Sequence, residues 1–120
     1  MAEERVPSSV SVTVAHELLL AGHRYLDVRT SEEFRQGHAC GAINVPYMLQ
    51  GASAGMSKNT DFLEQVSSHF GQSDEIIVGC RSGGRSSKAT TDLVNAGFTG
   101  VKDITGGYAA WTHHGLPTQD

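Results

Sequence analysis

The chain has 120 residues, 38% of them hydrophobic, and a formal net charge of −4. A single domain of this size can bury a full core without metal or disulfide staples. An acidic balance with no long Lys/Arg stripe excludes a nucleic-acid binder, and no apolar run nears the roughly 20 residues that a membrane span needs.

Residues 1–9 carry no hydrophobic signal region, and Glu3 and Glu4 argue against an acid-poor transit peptide. They are expected to form a flexible tail ahead of a domain over residues 10–120. Val10-Ser11-Val12 reads as a short extended start. Thr13 then caps a helix over 14–21 that closes at Gly22. Tyr25 to Val28 is a brief apolar strand. Ser31 caps a helix over 32–36, whose Glu32 and Glu33 suit the positive end of the dipole, and Gly37 ends it. Ala42 to Val45 forms another strand, stopped by Pro46. A Gly/Ser-rich loop over 48–58 follows, long enough to border a binding site. Asp61 to Phe70 is an amphipathic helix with Phe62, Val66 and Phe70 on one side.

Glu75 to Gly79 is the strand that feeds the most informative segment, Cys80-Arg81-Ser82-Gly83-Gly84-Arg85-Ser86. Ala89, Leu93, Val94 and Ala96 give the apolar face of the helix after it, closed by Gly97. Val101 to Ile104 is the last strand, and Tyr108 to His113 a final helical turn or two. Strands separated by helices predict an α/β domain: a central parallel sheet of about five short strands with helices on both faces. Ligands of such sheets sit at the carboxyl ends of the strands, where Cys80 falls.

A thiol in that position meets a helix N-terminus, free backbone N–H groups and guanidinium charge, all of which favour the thiolate. Cys80 is therefore the candidate nucleophile of a site for anionic substrates. Arg85 and Arg81 are candidate anion contacts; the alternative, an arginine that only ties the loop to a neighbouring carboxylate, weighs more for Arg81 than for Arg85. Ser82 and Ser86 offer hydrogen bonds to the sulfur or act as caps. Gly83 and Gly84 are expected to permit positive backbone angles and close approach.

Three motifs then carry a resemblance along nearly the whole chain. Asp27-Val28-Arg29 with Glu33-Phe34, Gly37-His38 and Gly41 to Pro46 resembles the amino-terminal signature of rhodanese domains. Cys80 to Arg85 resembles their active-site loop, and Gly106-Gly107-Tyr108 with Trp111 and Gly115-Leu116-Pro117 their carboxyl-terminal signature. Within the family the chain is similar to single-domain plant rhodaneses of the senescence-associated, dark-inducible group.

The resemblance implies a thiosulfate sulfurtransferase. Cys80 takes sulfane sulfur from thiosulfate and passes it, through a persulfide, to cyanide or to a small or protein thiol such as a thioredoxin-like partner. It implies substrate binding by Arg85, a monomer, no cofactor or metal, and neither nucleic acid nor membrane as partner. Two loop arginines favour thiosulfate over mercaptopyruvate. Two cysteines, Cys40 and Cys80, are too few for a secreted disulfide framework, so a reducing compartment is expected. Plant relatives add the chloroplast stroma beside the cytoplasm.

Two alternatives stand beside this reading. Phosphatases and arsenate reductases of related architecture place five residues between cysteine and arginine, where this chain has four, and they usually carry His where Gly79 stands. A non-catalytic regulatory or sulfur-carrier module is the other. Asp27 and Arg29 are expected as an internal ion pair fixing a loop, and His38 as a packing residue below the turn into Ala42. Trp111 and Tyr108 would cover one end of the core. His113 and His114, adjacent in sequence, do not share a helix face and so make poor metal ligands. Cys40, where the family more often has proline, is either a bystander or a resolving thiol for Cys80.

Overall fold

The strand before the cysteine explains the layers. Ile76 and Val78 point to one face of the sheet and Ile77 to the other, and all three are fully buried. An apolar run of this kind belongs in the middle of a parallel sheet covered on both sides. The computed structural model describes residues 8–50 and 56–120.

Chain order is β1 (Ser8–Val10), α1 (Val12–Leu20), β2 (Arg24–Asp27), α2 (Ser31–Arg35), β3 (His38–Ala39), β4 (Ile43–Asn44), β5 (Met48–Gln50) and β6 (Met56–Lys58). There follow α3 (Phe62–His69), β7 (Glu75–Gly79), α4 (Gly84–Asn95), β8 (Gly100–Ile104), α5 (Gly107–His113) and β9 (Thr118–Gln119). Five strands form a parallel sheet in the order β1-β8-β7-β2-β4. The predicted five-stranded α/β architecture is the one observed.

Two apolar layers fill the faces. Phe62, Val66 and Phe70 of the α3 segment join Ala89 and Leu93 of α4 over Leu26, Ile76 and Val78. Val12 and Ala15 of α1 join Trp111 of α5 over Tyr25, Ile77 and Ile104. The Trp111 ring meets Tyr25 edge-on at 5.4 Å, and its indole N–H donates to the Pro117 carbonyl.

Element boundaries differ from expectation where side-chain caps decide them. Ser11, not Thr13, caps α1, its hydroxyl accepting from Val14 N–H. Thr30, not Ser31, caps α2 in a capping box closed by Glu33. The inner face of α4 is Ser86, Ala89, Thr90 and Leu93, whereas Ala96 is its exposed C-cap. The sheet begins at Ser8, inside the segment expected as a tail. The ends of the 48–58 loop pair as an antiparallel hairpin, Met48 opposite Lys58; its glycines Gly51 and Gly55 lie outside the described residues. The short antiparallel pair β3–β9 had no signal in the sequence.

Topology fixes where a site can form. From β2 the chain moves outward to β4, whereas from β7 it moves the opposite way to β8. The carboxyl ends of adjacent β2 and β7 therefore flank a switch point, where diverging connections leave a crevice. The Val28 N–H donates to the Gly79 carbonyl at 2.9 Å, which holds the two ends together. Among the described residues no helix is long and apolar enough to cross a membrane.

Candidate active site

Cys80 leaves β7 at that switch point and is 1% exposed. Its loop turns sharply into α4 through Gly83, whose φ of +123° suits only glycine. Gly84 has no such angle and a methyl there would meet open space, so of the two expected permissive glycines only Gly83 needs its freedom. The turn brings the Gly83 N–H to 3.0 Å from Cys80 Sγ. The Cys80 thiol donates to Ser86 Oγ at 3.4 Å, and Ser86, fully buried, donates in turn to the Gly83 carbonyl at 3.2 Å. By helix geometry the first-turn N–H groups of Gly84, Arg85 and Ser86 have no carbonyl partner within α4. The sulfur thus lies in a curl of donors at the positive end of a 12-residue helix.

The N-terminus of α5 holds this loop from behind. Tyr108 N–H donates to the Cys80 carbonyl at 2.7 Å and Ala109 N–H to the Arg81 carbonyl at 3.0 Å. The approach is close enough that a Cβ on Gly107 would sit 2.4 Å from Cys80 O and 2.9 Å from the Arg81 carbonyl carbon and oxygen. Gly107 was visible in the sequence only as part of a motif; its function as a spacer behind the loop comes from this contact.

A cavity of about 310 Å³ opens over the sulfur, lined by Tyr47, Met48, Cys80, Ser82, Gly84, Arg85 and Lys88. The 48–58 segment thus contributes Met48 to it. Arg85 borders the cavity, yet its guanidinium is held by Glu33, with Nη1 donating to Oε1 at 2.7 Å and Nη2 to Oε2 at 3.1 Å. Glu33 Oε1 also accepts from the Thr30 N–H and hydroxyl. The Arg85 hydrogen bond, outweighing burial, holds the Glu33 carboxyl down at about 2.

Arg81 points elsewhere. It is exposed and lines a neighbouring cavity of about 430 Å³ with Arg29, Gln36, Gly37 and Tyr108, while Glu33 stands in that cavity's wall. The structure therefore brings Cys80, Ser82, Gly84 and Arg85 around one cavity, with Gly83 and Ser86 beneath the sulfur, and leaves Arg81 out of it.

The amino-terminal motif proves structural. Asp27 accepts from Arg29 through Nε at 3.0 Å to both oxygens and through Nη2 at 2.7 Å, and Arg29 Nη2 also donates to the Gly37 carbonyl. Both residues are buried, and the Arg29 guanidinium lies 4.1 Å over the Tyr108 ring. This is the internal ion pair expected, and it braces the loop that carries Thr30 and Glu33. His38 stacks on Phe34 at 3.6 Å and shares a hydrogen bond with the Phe34 carbonyl. Cys40 is exposed, its N–H donating to Pro117 O, and it is absent from the lining of the Cys80 cavity. Among the described residues no group of three His, Cys, Asp or Glu side chains has a metal-binding arrangement.

Comparison with known proteins gives a consistent picture. The rhodanese-like domain family matches residues 5–114. A chloroplastic Arabidopsis thaliana protein named thiosulfate sulfurtransferase 16 is 84% identical over 99% of both chains. A senescence-associated protein of Raphanus sativus is 59% identical over 99% of this chain, which spans 64% of that relative. Among solved structures, the rhodanese-like domain of an Anabaena protein superposes with a TM-score of 0.76 at 29% identity, covering 92% of this chain and 77% of that one.

Proposed function

Since this chain belongs to the rhodanese-like domain family, we propose that it is a sulfurtransferase that draws sulfane sulfur from thiosulfate and carries it on Cys80. The observation behind this reading is the sulfur itself. Cys80 Sγ lies at the switch point of the sheet, accepts the Gly83 N–H at 3.0 Å and faces a cavity. The loop thus aims a backbone donor at the sulfur, in the place where a charge on it or on a sulfur bound to it would be stabilised.

In the first half-reaction the Cys80 thiolate attacks the outer sulfur of thiosulfate. A bond forms between Sγ and that sulfur, and the sulfur–sulfur bond of thiosulfate breaks with its electron pair leaving on sulfite. The product, Cys80–S–S⁻, keeps the charge of the thiolate it replaces. First-turn N–H groups of α4 and the hydroxyl of Ser82 are the donors available to the terminal sulfur. In the second half-reaction cyanide or a thiolate, from a small molecule or a thioredoxin-like protein, attacks the terminal sulfur and the Cys80 thiolate departs. The two steps share one covalent intermediate, so the kinetics are ping-pong. Sulfur changes hands by thiol-type exchange and requires no metal or organic cofactor.

Arg85 offers the donor its remaining N–H groups, since the pair with Glu33 uses only one on each terminal nitrogen. Arg81 contributes potential from outside the cavity. Two features weigh for sulfur transfer over phosphoryl or arsenate chemistry. The cradle from Cys80 to Arg85 is one residue short of the phosphatase loop. Gly79 also has no room for a side chain, because a Cβ there would lie 2.6 Å from the Tyr25 hydroxyl. The loop's intact cysteine and arginines weigh against a non-catalytic module. The compartment consistent with the chloroplastic relative is the stroma, and the chain is proposed to act as a monomer.

Intact mass of the reduced protein mixed with thiosulfate tests the reading. The expected result is a gain of about 32 Da, lost on adding cyanide or dithiothreitol and absent from Cys80→Ser, whose fold is retained. Turnover retained by Cys80→Ser would refute the mechanism.

A further inference from the structure

The charges around the sulfur do not sit where the loop sequence places them. Of the two loop arginines, Arg81 lines the neighbouring cavity. Arg85 lines the cavity of Cys80 but is paired through both terminal nitrogens with Glu33, so the two together carry no net charge. The carboxylate is not readily displaced, because Glu33 is at once the counter-ion of Arg85 and the closing member of the Thr30 capping box. An anion entering the cavity therefore meets Arg85 as a wall of N–H donors rather than as a free cation.

One more basic side chain lines the same cavity. Lys88 stands on α4 three residues after Arg85 and four after Gly84, the spacing that stacks residues on one helix face. It is exposed and, among the described residues, has neither a hydrogen-bond nor an ionic partner. Other lysines bordering carboxylates are paired: Lys58 with Asp92 at 3.2 Å and Lys102 with Glu75 at 3.8 Å. The remaining cavity-lining groups, Tyr47, Met48, Ser82 and Gly84, are uncharged.

We infer that the anion-selecting charge of this site resides on Lys88, with Arg85 held as a neutralised, hydrogen-bonding wall by the positioning residue Glu33. The inference rests on the sulfurtransferase reading for the identity of the anion, a sulfur oxyanion. It does not rest on that reading for the location of the charge. Lys88 lies outside the Cys80–Arg85 loop, and a flexible ammonium suits an oxyanion whose charge must be released again as sulfite.

The test uses two near-isosteric alkylating agents, anionic iodoacetate and neutral iodoacetamide, on the full chain. The extent of modification is read at the Cys80 peptide by mass spectrometry, so that reaction at exposed Cys40 does not enter. With each agent Cys80 Sγ attacks the methylene carbon, the Sγ–C bond forms as the C–I bond breaks and iodide leaves to solvent, and the ratio of the two rates reports charge in the cavity independently of sulfur transfer. Lys88→Ala should lower the iodoacetate-to-iodoacetamide ratio about tenfold, the size of one charge-assisted contact, and Lys88→Arg should restore it. Glu33→Gln, which keeps a side chain able to close the capping box, should raise the ratio by freeing the Arg85 charge. A ratio within twofold of wild type in Lys88→Ala, or unchanged in Glu33→Gln, would overturn the assignment. If wild type forms no Cys80 persulfide with thiosulfate yet Lys88→Ala still shifts the ratio, the sulfurtransferase reading fails and the location of the charge stands.

Discussion

Gly107→Ala isolates the contact that holds the reactive loop. At this position φ is +57°, inside the left-handed region, where a residue with a Cβ loses roughly 1–2 kcal/mol. The new methyl would also stand 2.4 Å from the Cys80 carbonyl oxygen and 2.9 Å from the Arg81 carbonyl, all backbone atoms with no rotamer to yield. Overpacking of a buried site adds about 1–3 kcal/mol. The sum, about 2–5 kcal/mol, corresponds in a domain of this size to a fall in Tm of roughly 8–20 °C. Relief must come from α5 moving away from the loop, which breaks the bonds from Tyr108 N–H to Cys80 O and from Ala109 N–H to Arg81 O. The rate of persulfide formation should therefore fall as well, even at temperatures where the variant is folded. Gly83→Ala is the control: its φ of +123° makes it strained, but its Cβ has no neighbour within 4 Å, so only the conformational cost applies. Differential scanning calorimetry with single-turnover mass spectrometry on both variants decides the matter. A Gly107→Ala protein with wild-type Tm and wild-type persulfide rate would refute the claim that α5 braces the loop.

Three other outcomes follow from the same geometry. Asp27→Ala strands the 4%-exposed Arg29 without its carboxylate and should cost about 3–5 kcal/mol in urea unfolding; a midpoint unchanged at constant m-value would show the pair to be dispensable. Glu33 ionises near 2 rather than 4.5, so its contribution is complete above about pH 4.5 and is lost as pH falls toward 2. Its side chain keeps 29% of its surface in water, which discounts the contribution to about 1 kcal/mol; Tm should fall less in Glu33→Gln than in wild type between about pH 5 and pH 3. Arg85→Ala removes a wall of donors and leaves the Glu33 carboxylate unpaired beside the cavity, so kcat/KM for thiosulfate should fall by roughly tenfold to a hundredfold; an unchanged value would reject its place in donor binding.

The sequence was sufficient wherever the signal is local. The apolar run Ile76–Val78 ending at Cys80, with glycines and a serine-rich helix start after it, already specifies strand, sharp turn and helix N-terminus, because each depends on residues a few positions apart. The same holds for Asp27 and Arg29, two residues apart across one turn, and for the apolar face Phe62–Val66–Phe70. Charge neutralisation is not local. Glu33 and Arg85 are 52 residues apart, and only the packing of α2 beside the β7–α4 loop makes them partners. It was this contact, invisible in either motif, that offset the charge of Arg85 with that of Glu33, while the loop geometry turned Arg81 into another cavity. Lys88 carried no motif and gained its place in the lining from the helix phase of α4. Gly107 likewise shows a glycine in sequence, but the carbonyl it must clear belongs to Cys80, 27 positions earlier. Periodicity and turn chemistry thus determined the fold and the candidate nucleophile; long-range packing alone decided which charges surround it, since Coulomb interactions depend on distances that a linear pattern does not contain.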